Sequence, residues 1–441
     1  MMQMKTESSR KRFGNPLIIA FLFILLLSLA YASVSFGIPV PDEQLVEDTL
    51  AYESYTGKIL DSETKKPVVF ANVMLKGTTI GTVTNADGEF LIKAPANSDI
   101  QVLEITHIGY ATKLIQLADL EGGKASIMLS SVTIPIEAVT VSYGDPVELL
   151  LTAIENIPEN YSVDPVMLKA FYRETIKQNR NYVGVAEAVL DIYKAEYLNT
   201  AGSDRPLIYK GRKSQDVQKM DTVIVKLQGG PYVSLMLDIA KHPRDILADD
   251  LMDQYIFTYG GITSVQDRQA MIIKFEPREG VNIPLYRGSI FLDIENLAFI
   301  GMDFLLDEGR IDEAAALFIR KKPASMRVDI ESANYLVKYR VYEDTWYLSY
   351  VRSELNFRCK WEKKLFSSRY NLMTEMAVTD LDHENVTKYK YSQTSKLSDI
   401  LSEQVTQFED PDFWGEDNII KPDESIEAAI AKLSRKMRRR L

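Results

Sequence analysis

Histidine and cysteine, which commonly bind transition metals and take part in catalysis, are scarce in this sequence of 441 residues, which contains three histidines and one cysteine. A zinc peptidase needs a His-x-x-Glu pair and a distant third histidine, because three ligands leave one position open for water. The histidines do not have that spacing; they stand in the runs His107-Ile108-Gly109-Tyr110, His242-Pro243-Arg244-Asp245 and His383-Glu384-Asn385-Val386. The sequence therefore predicts loop or surface histidines and no metal site.

Nucleophile and phosphate-binding motifs are also missing. There is no Gly-x-Ser-x-Gly elbow, and Cys359 lies on the apolar face of a predicted strand, where a core residue is expected rather than an activated thiolate. Gly122-Gly123-Lys124 lacks the earlier glycine and the hydroxyl residue of a P-loop, and it predicts a turn. The carboxylate pairs Asp249-Asp250 and Glu409-Asp410 have no spacing that would hold them across a substrate. We therefore expect no catalytic residue, no cofactor and no enzyme, with a hydrolase using an unrecognised carboxylate site as the alternative.

The composition describes a globular and acidic chain. It is 46% hydrophobic and 26% charged, and its 51 Lys and Arg against 62 Asp and Glu give a formal net charge of −11. Such a chain has room for more than one domain and is a poor general binder of nucleic acid. A single cysteine excludes an internal disulfide framework.

The N-terminus has the features of an export signal. An apolar run from Leu17 to Ala30 ends in a small-x-small site at Ala32. The basic residues before this run are Lys5, Arg10, Lys11 and Arg12. This predicts a signal peptide over residues 1–32, or else an uncleaved single-pass inner-membrane anchor through residues 17–36, close to the roughly 20 residues that span a bilayer. In both cases the rest of the chain is expected in the periplasm or at the outer membrane.

Short β-rich runs separated by turns follow an acidic segment, residues 33–54, that predicts a tether. The runs are Tyr55–Leu60, Val68–Leu75, Ile80–Thr84, Glu89–Lys93, Ile100–Thr106, Thr112–Leu117 and Ala125–Leu129. Seven short strands in succession predict a small antiparallel sandwich over residues 55–143.

The Asp87-Gly88 pair within this segment has two interpretations. A calcium loop in that register needs an acid where Val83 stands and a glutamate where Ala94 stands. We therefore predict a hairpin turn with Gly88 at positive φ.

Several spaced motifs of residues 55–143 resemble the carboxypeptidase regulatory-like domain, a transthyretin-like, peptidase-associated sandwich. They are Gly57, Pro67 to Ala71, the run from Gly77 to Phe90, and His107-Ile108-Gly109-Tyr110. Similar domains precede TonB-dependent transporters in Gram-negative envelope proteins, and the strand Ile136–Val141 resembles the segment that leads there into the plug. The chain after Tyr143 is too short for a plug and a large barrel. The resemblance therefore implies the module and an envelope location, not transport.

Residues 144–420 predict a larger antiparallel β domain. From Val351 to Glu362 apolar and polar residues alternate, and Tyr335–Val341 predicts a partner strand joined through a hairpin at Glu343-Asp344-Thr345. Further predicted strands are Met167–Ile176, Tyr182–Tyr193, Asp221–Leu227, Ala270–Glu276, Tyr286–Ile294 and Arg369–Asp380. Predicted helices run from Asp145-Pro146 to Pro158 and over Val233–Lys241, Ile311–Lys321 and Glu424–Arg439.

A curved, half-barrel-like antiparallel sheet with a few helices is the simplest architecture for this region. It resembles the half-barrel lipoprotein carriers of the periplasm, whose concave apolar face receives acyl chains. The runs Phe171-Tyr172-Arg173-Glu174 and Phe413-Trp414 are similar to poorly characterised regions that accompany the regulatory-like domain. A transmembrane barrel is the rival fold, but the chain ends in Arg438-Arg439-Arg440-Leu441 instead of a terminal strand.

The basic C-terminal helix, residues 421–441, predicts membrane-surface contact. Its basic residues are Lys432, Arg435, Lys436, Arg438, Arg439 and Arg440. They suit anionic lipid or an acidic partner; the alternative is a solvated helix end whose cations favour the helix dipole.

Together these features predict a non-enzymatic exported envelope protein with a binding or scaffolding role. The expected partner is an envelope protein, a lipid or a glycan, and not nucleic acid. The alternatives are a periplasmic lipid carrier or chaperone with a concave half-barrel, and an accessory protein of TonB-dependent transport.

Overall fold

The computed structural model describes most of the chain from Tyr52 onward. The described residues are 52–96, 98–120, 125–132, 144–198, 203–215, 226–227, 230–245, 247–307, 311, 319–321, 324–362, 367–407 and 413–438. The predicted signal peptide, the strand Ile136–Val141 and the turn at Gly122-Gly123-Lys124 lie outside them, as do most of the predicted tether and the last three residues of the basic tail.

Seven strands in the first part of the chain form two small sheets packed face to face. They are β1 (Tyr52–Asp61), β2 (Asn72–Leu75), β3 (Gly81–Val83), β4 (Glu89–Pro95), β5 (Val102–Thr106), β6 (Lys113–Gln116) and β7 (Ala125–Leu129). The sheet orders are β4-β1-β7 and β3-β2-β5-β6, and side chains such as Ile59, Phe90 and Leu103 fill the core between them. All seven predicted strands are confirmed. The expectation of a purely antiparallel sandwich is wrong, because β1 pairs with β7 in parallel.

The turn at Asp87-Gly88 also differs from the prediction. Gly88 has the expected positive φ of 73°, and the Asn85 carboxamide oxygen accepts hydrogen bonds from the N–H groups of Asp87 (2.9 Å) and Glu89 (2.8 Å). The turn is not a hairpin, because β3 and β4 belong to different sheets. Phe90, after the turn, is buried in the core of the sandwich, and Val83, before the turn, is buried against the large sheet. The chain therefore crosses from one layer of the sandwich to the other at this turn.

The second part of the chain builds one large open sheet. Its strands and their short neighbours are β8 (Val166–Gln178), β9 (Asn181–Lys194), β10 (Arg205–Gln215), β11 (Lys226–Leu227), β12 (Tyr255–Val265), β13 (Arg268–Pro277), β14 (Tyr286–Asp293), β15 (Phe299–Leu306), β16 (Ile319–Lys321), β17 (Met326–Tyr342), β18 (Thr345–Trp361), β19 (Ser368–Asp382) and β20 (Thr406–Gln407). The order is β12-β13-β14-β15-β17-β18-β19-β8-β9-β10-β20, and β11 pairs separately with β16. Ten of these strands are antiparallel neighbours, while β20 joins β10 in parallel. The predicted large antiparallel sheet is therefore confirmed.

Local patterns account for most of the large sheet but not all of it. The hairpin between β17 and β18 turns through Glu343 and Asp344, both at positive φ (47° and 61°), as a two-residue turn requires. Five of the described strands were not predicted: the long strands β10, β12 and β15, and the short strands β16 and β20. The three long strands are irregular, since β10 is bulged after Ile208, β12 at Gly260 and β15 at Ile300, and a bulge interrupts the period-two pattern.

Six α-helices occur in the described part of the chain. They are α1 (Pro146–Glu155), α2 (Ile157–Asn160), α3 (Pro231–Met236), α4 (Asp249–Met252), α5 (Leu401–Gln404) and α6 (Glu424–Arg438). The Asp145 carboxylate caps α1 by accepting from the N–H of Val147 at 2.8 Å, as predicted. The prediction of a helix over Val233–Lys241 is right only in its first turn, and the predicted helix over Ile311–Lys321 is wrong at its end, where β16 forms. None of the helices within the described ranges is long and apolar enough to cross a membrane.

Both faces of the large sheet are covered. On the helix face, α1, α3 and α5 pack on a core that includes Tyr172, Phe299 and Trp346. On the sandwich face, Phe171 and Tyr350 contact the sandwich and the C-terminal segment. Central strands such as β8 and β19 are therefore buried on both sides over long stretches, which removes the alternation that a sheet with one wet face would show.

Candidate functional site

The sandwich and the large sheet belong to one compact unit and are joined by residues 413–423, which we call the C-terminal strap. The strap pairs with the sandwich through Asn418, whose side chain accepts from the Lys93 N–H (2.7 Å) and donates to the Lys93 carbonyl (3.2 Å). The Thr82 hydroxyl donates to the Ile419 carbonyl at 2.8 Å. These bonds hold the strap against β3 and β4.

The other side of the strap is bound to the large sheet. The buried Asp417 carboxylate pairs with Lys169 at 2.9 Å and with Lys210, and Arg173 donates to the Ile420 carbonyl at 2.7 Å. The Trp414 ring packs edge-on against Phe171, with ring centroids 5.4 Å apart. The strap is therefore a third layer between the sandwich and the sheet.

The sandwich also contacts the sheet directly, through two buried cations on β17. Lys338 donates to the Phe70 carbonyl at 2.9 Å, and Arg340 donates to the Thr79 carbonyl at 2.9 Å. Burial lowers the pKa of Lys338 to about 7 and that of Arg340 to about 10, with only Asp303 and Asp380, respectively, opposing the shifts. The interface therefore contains charge that is poorly compensated.

Lys338→Met is expected to stabilise the protein more at pH 6 than at pH 10. The folded-state pKa lies near 7 and the unfolded value near 10.4, so the unfolded state binds more protons in this window and the free energy of unfolding of the wild type rises with pH there. The full penalty for burying the ammonium is present below about pH 7 and is on the order of 4–5 kcal/mol. Urea unfolding of both proteins at the two pH values measures the difference.

The matched control for this prediction is Lys360→Met, at an exposed position of the neighbouring strand β18. It should change stability little at either pH. A Lys338→Met protein whose stability relative to wild type is the same at pH 6 and pH 10 would contradict the prediction.

A ladder of alternating charge crosses the sandwich face, with one residue on each of five neighbouring strands. In order from β18 to β10 the members are Arg352, Glu375, Arg173, Glu187 and Arg212. Arg173 lies 2.8 Å from Glu187 and 2.9 Å from Glu375, and Arg212 lies 2.7 Å from Glu187. Burial alone would raise the pKa of Glu187, but the two arginines outweigh it and hold that pKa below its usual value. We call this row the charge ladder.

A cavity of about 580 Å³ lies beside the charge ladder, where three parts of the chain meet. Its floor is the sandwich face of β8, β18 and β19, one wall is the sandwich turn around Asn85, and the opposite wall is the first turn of α6. The Asp87 carboxylate accepts from the Glu424 N–H at 3.1 Å, and Tyr182 hydrogen-bonds to Ser425 at 3.1 Å. The sandwich and the sheet therefore position the helix that closes this cavity.

Two buried polar groups that line the cavity have no hydrogen-bond partner, the Thr175 hydroxyl and the Asn85 side-chain N–H₂. Both residues are almost completely buried, at 1% and 2% exposure. Neighbouring groups are satisfied: Glu354 accepts from Asn371 at 2.7 Å and from Arg352 at 3.1 Å. Because an unpaired buried polar group costs about 1–3 kcal/mol, hydrogen bonds to these two groups from ordered water or from a bound molecule would be stabilising.

A second cavity, of about 510 Å³, lies on the other side of the sheet near Tyr197, Lys241 and His242. Behind it, the Lys194 ammonium lies 2.7 Å from both Asp204 and Asp238. Neither of these carboxylates lines the cavity. Burial opposes ionisation of Asp238, but Lys194 outweighs it and keeps the pKa of Asp238 low. Lys194, Asp204 and Asp238 therefore form a buried ion-pair cluster in the core and do not belong to the cavity.

One buried carboxyl group has a pKa close to neutral pH. Burial raises the pKa of Glu174 to about 7, and the Tyr172 hydroxyl is 3.5 Å from it. The side chain lies on the helix face and lines neither of these two cavities.

The sequence-predicted candidates are spread through the fold. His107 lies in a loop beneath the sandwich, where burial and the nearby Lys338 ammonium lower its pKa to about 3; His242 lies beside the second cavity and His383 is exposed. Within the described ranges, no group of three or more His, Cys, Asp or Glu side chains is placed to hold a metal ion. Cys359 is a core residue, as predicted, and burial raises its pKa to about 12.

The basic helix α6 uses its apolar side chains within the fold. Ile426 and Leu433 are buried against Val185 and Met373 of the sheet, while Lys432 and Arg435 are exposed. Membrane contact through the tail stays a prediction, since Arg439, Arg440 and Leu441 lie outside the described residues.

Comparison with known proteins identifies the sandwich. Residues 55–141 match the family model of the CarboxypepD_reg-like domain, which confirms the resemblance seen in the sequence. Over 98 residues the chain is 32% identical to the TonB-dependent receptor SusC of Bacteroides thetaiotaomicron. That match spans 22% of this chain and 9% of the receptor, so the chain covers a small part of that relative's length.

Two solved structures are similar to a larger part of the chain at low identity. A DUF1329 family protein from Desulfovibrio piger matches 56% of this chain and 97% of its own, with 11% identity and a TM-score of 0.25. A LolA superfamily protein from Nitrosomonas europaea matches 56% of this chain and 96% of its own, with 7% identity and a TM-score of 0.22. TM-scores this low do not assign a fold or a function.

Proposed function

We propose that this chain is an exported, non-enzymatic envelope protein that binds a small polar ligand in the cavity between its sandwich, its large sheet and α6. The observation that carries this proposal is the pair of unpartnered groups, Thr175 and Asn85, in a cavity of about 580 Å³. That volume is within the range of ligand sites, about 300–1,000 Å³. The predicted export signal and the match to part of a TonB-dependent receptor support the envelope location.

The geometry around the cavity favours binding over catalysis. The carboxylates nearest its floor, Glu375 and Glu354, are engaged by Arg173 and Arg352, and arginine does not exchange protons near neutral pH. Proton transfer needs a group whose pKa is close to the working pH. Among the described residues, Glu174 is a carboxyl whose pKa is raised to about 7, and it does not line the cavity. The charge ladder gives the site a rigid floor, which binding requires.

Thermal unfolding of the full chain with a panel of small polar compounds tests the binding role. A ligand at a hundred times its Kd should stabilise the protein by about 2.7 kcal/mol. The panel contains neutral trisaccharides, trigalacturonate, triglycine and spermidine. The control is Met373→Trp, which places a large ring in the cavity floor and should remove the stabilisation. The proposal is wrong if no compound stabilises the wild type, or if Met373→Trp responds equally.

Location and the absence of catalysis need separate measurements. Fractionation of cells that express the full chain should recover it with the envelope, and recovery in the cytoplasm would contradict the proposal. Turnover of peptide or glycan substrates that is lost in Glu174→Gln would instead support the hydrolase alternative.

An accessory role in TonB-dependent transport is a second candidate, because residues 55–141 include a segment similar to part of a receptor of that type. Crosslinking in cells followed by purification from separated membranes would then recover such a receptor with the chain. A lipid-carrier role has less support from the geometry. Helices α1, α3 and α5 cover the apolar core of the helix face, so an acyl chain would have to displace them. Native mass spectrometry after delipidation, with acyl lipid taken up again, would restore this alternative.

A further inference from the structure

We infer that the ligand of the cavity between the sandwich, the sheet and α6 is a short, uncharged carbohydrate. This inference rests on the proposed function and adds the chemical class of the ligand. Its basis is that all three cations and four of the five anions around the cavity have partners within the protein, while the hydrogen-bonding groups that have no partner are neutral.

The two arginines at the cavity are paired with carboxylates, and the third cation, Lys177, lies over the Tyr182 ring at 4.4 Å. Arg173 is shared between Glu187, Glu375 and the Ile420 carbonyl. Arg352 pairs with Glu354 at 3.1 Å and lies over the Phe70 ring at 4.9 Å. Three cationic and five anionic side chains line the cavity, so its net charge is negative. Both features disfavour a phosphate or carboxylate ligand.

Four of the five anions accept hydrogen bonds or form ion pairs within the protein, and the fifth, Glu424, is exposed to solvent. Both oxygens of Glu354 accept hydrogen bonds, from Asn371 and from Arg352. Asp87 and Asp423 bond to N–H groups in the first turn of α6, those of Glu424 (3.1 Å) and Ile426 (2.7 Å). A cationic ligand would therefore have to compete with existing ion pairs and helix caps.

The two groups without a partner, on Asn85 and Thr175, would be satisfied by a ligand that both donates and accepts hydrogen bonds. The Asn85 N–H₂ can only donate, and the Thr175 hydroxyl can donate or accept. The carboxamide oxygen of Asn85 already accepts the two hydrogen bonds that fix the turn. Sugar hydroxyls fill both roles without charge. Met373 and Ile426 supply apolar surface beside these groups, which suits the C–H face of a sugar ring.

A peptide fits this site less well. Peptides are usually held by adding a strand to a sheet edge or by a helix in an apolar groove. The cavity floor is made of β8, β18 and β19, which lie inside the sheet with neighbours on both sides. Their main-chain groups are therefore already used in the sheet.

The test is calorimetric titration of the full chain with maltotriose, cellotriose and N-acetylated chitotriose, beside triglycine and trigalacturonate. We expect at least one neutral trisaccharide to bind. Thr175→Val and Asn85→Asp should each weaken that binding by about five- to tenfold, the loss of one neutral hydrogen bond. Asn85→Asp keeps the acceptor that fixes the turn, removes the donor and adds a negative charge, so Thr175→Val is the variant that changes a hydrogen bond without changing charge.

The same variants separate a ligand group from a structural one. Without ligand, Thr175→Val should keep or slightly raise the Tm, because the hydroxyl it removes has no partner. The matched control is Thr374→Val on the opposite face of β19, whose hydroxyl is bonded to Ser353 at 2.7 Å; it should lower the Tm by a few degrees and leave affinity unchanged.

The outcomes are distinct. Binding of triglycine or trigalacturonate, but of no neutral trisaccharide, with the response lost in Met373→Trp, overturns the carbohydrate inference and leaves the proposed function standing. No binding by any probe, with only ordered water beside Thr175 and Asn85 in a crystal soaked with the trisaccharides, overturns both.

Discussion

Arg173→Met is expected to lower the free energy of unfolding by about 3–5 kcal/mol. Arg173 is 1% exposed and stands at the centre of the charge ladder. Its loss leaves Glu375 with Arg352, at 3.8 Å, as its remaining cation, and it leaves the Ile420 carbonyl without its donor. Removing one partner of a buried ion pair is costly because the remaining charge stays desolvated. Urea unfolding at neutral pH measures the effect.

The control for this prediction is Arg358→Met on β18. Arg358 is 44% exposed and lies 3.6 Å from Glu331 in a surface pair, so its loss should cost less than about 1 kcal/mol. The double variant Arg173→Met/Glu375→Gln should recover part of the loss, since it removes a stranded carboxylate. Equal effects of Arg173→Met and Arg358→Met would show that the ladder adds no more than a surface ion pair.

The charge ladder shows what sequence patterns leave out. Neighbouring members of the ladder are 14 to 202 residues apart in the chain, and they become neighbours only because the register pairs Arg173 with Glu375 and with Glu187. Within β8 the run Phe171-Tyr172-Arg173-Glu174 indicates that successive side chains lie on opposite faces of the sheet. It does not indicate which face is covered by the sandwich. Register is set by the whole sheet and its turns, so no local spacing predicts the ladder.

The sandwich is predictable for the opposite reason. Its strands are short and separated by turn residues with strong local preferences, such as Gly88 at positive φ, and the motifs that resemble a known domain lie in the same segment. The errors concern pairing: β1 joins β7 in parallel, and the turn at Gly88 links two sheets. Local signals indicate where strands occur and leave their partners open.

The cavity is the least predictable feature. Asn85 comes from the sandwich, Thr175 from the large sheet and Ser425 from the last helix. The sequence indicates Asn85 as a turn residue and Thr175 as a strand residue, and those are its local roles. These residues form one cavity only when the sandwich docks on the sheet, and that docking depends on the C-terminal strap.

Trp414→Ala is therefore expected to destabilise the docked state strongly, by about 3–5 kcal/mol. Trp414 is 5% exposed, packs against Phe171, and lies under the Arg212 guanidinium at 4.7 Å. Its loss opens a hole between the strap and the sheet and removes a cation–π contact from the end of the charge ladder. Because the strap also bonds to the sandwich at Lys93, we expect unfolding of the sandwich and the sheet to become separable in calorimetry.

Trp414→Ala should also affect ligand binding in the cavity. Trp414 does not line the cavity, yet the strap leads directly into α6, whose first turn forms one wall. Trp414→Ala should therefore weaken ligand binding without touching the ligand. Tyr391→Ala is the control, since this aromatic residue is 54% exposed and its loss should cost less than about 1 kcal/mol. A single unfolding transition with unchanged binding in Trp414→Ala would mean that the direct contacts of Lys338 and Arg340, and not the strap, hold the sandwich in place.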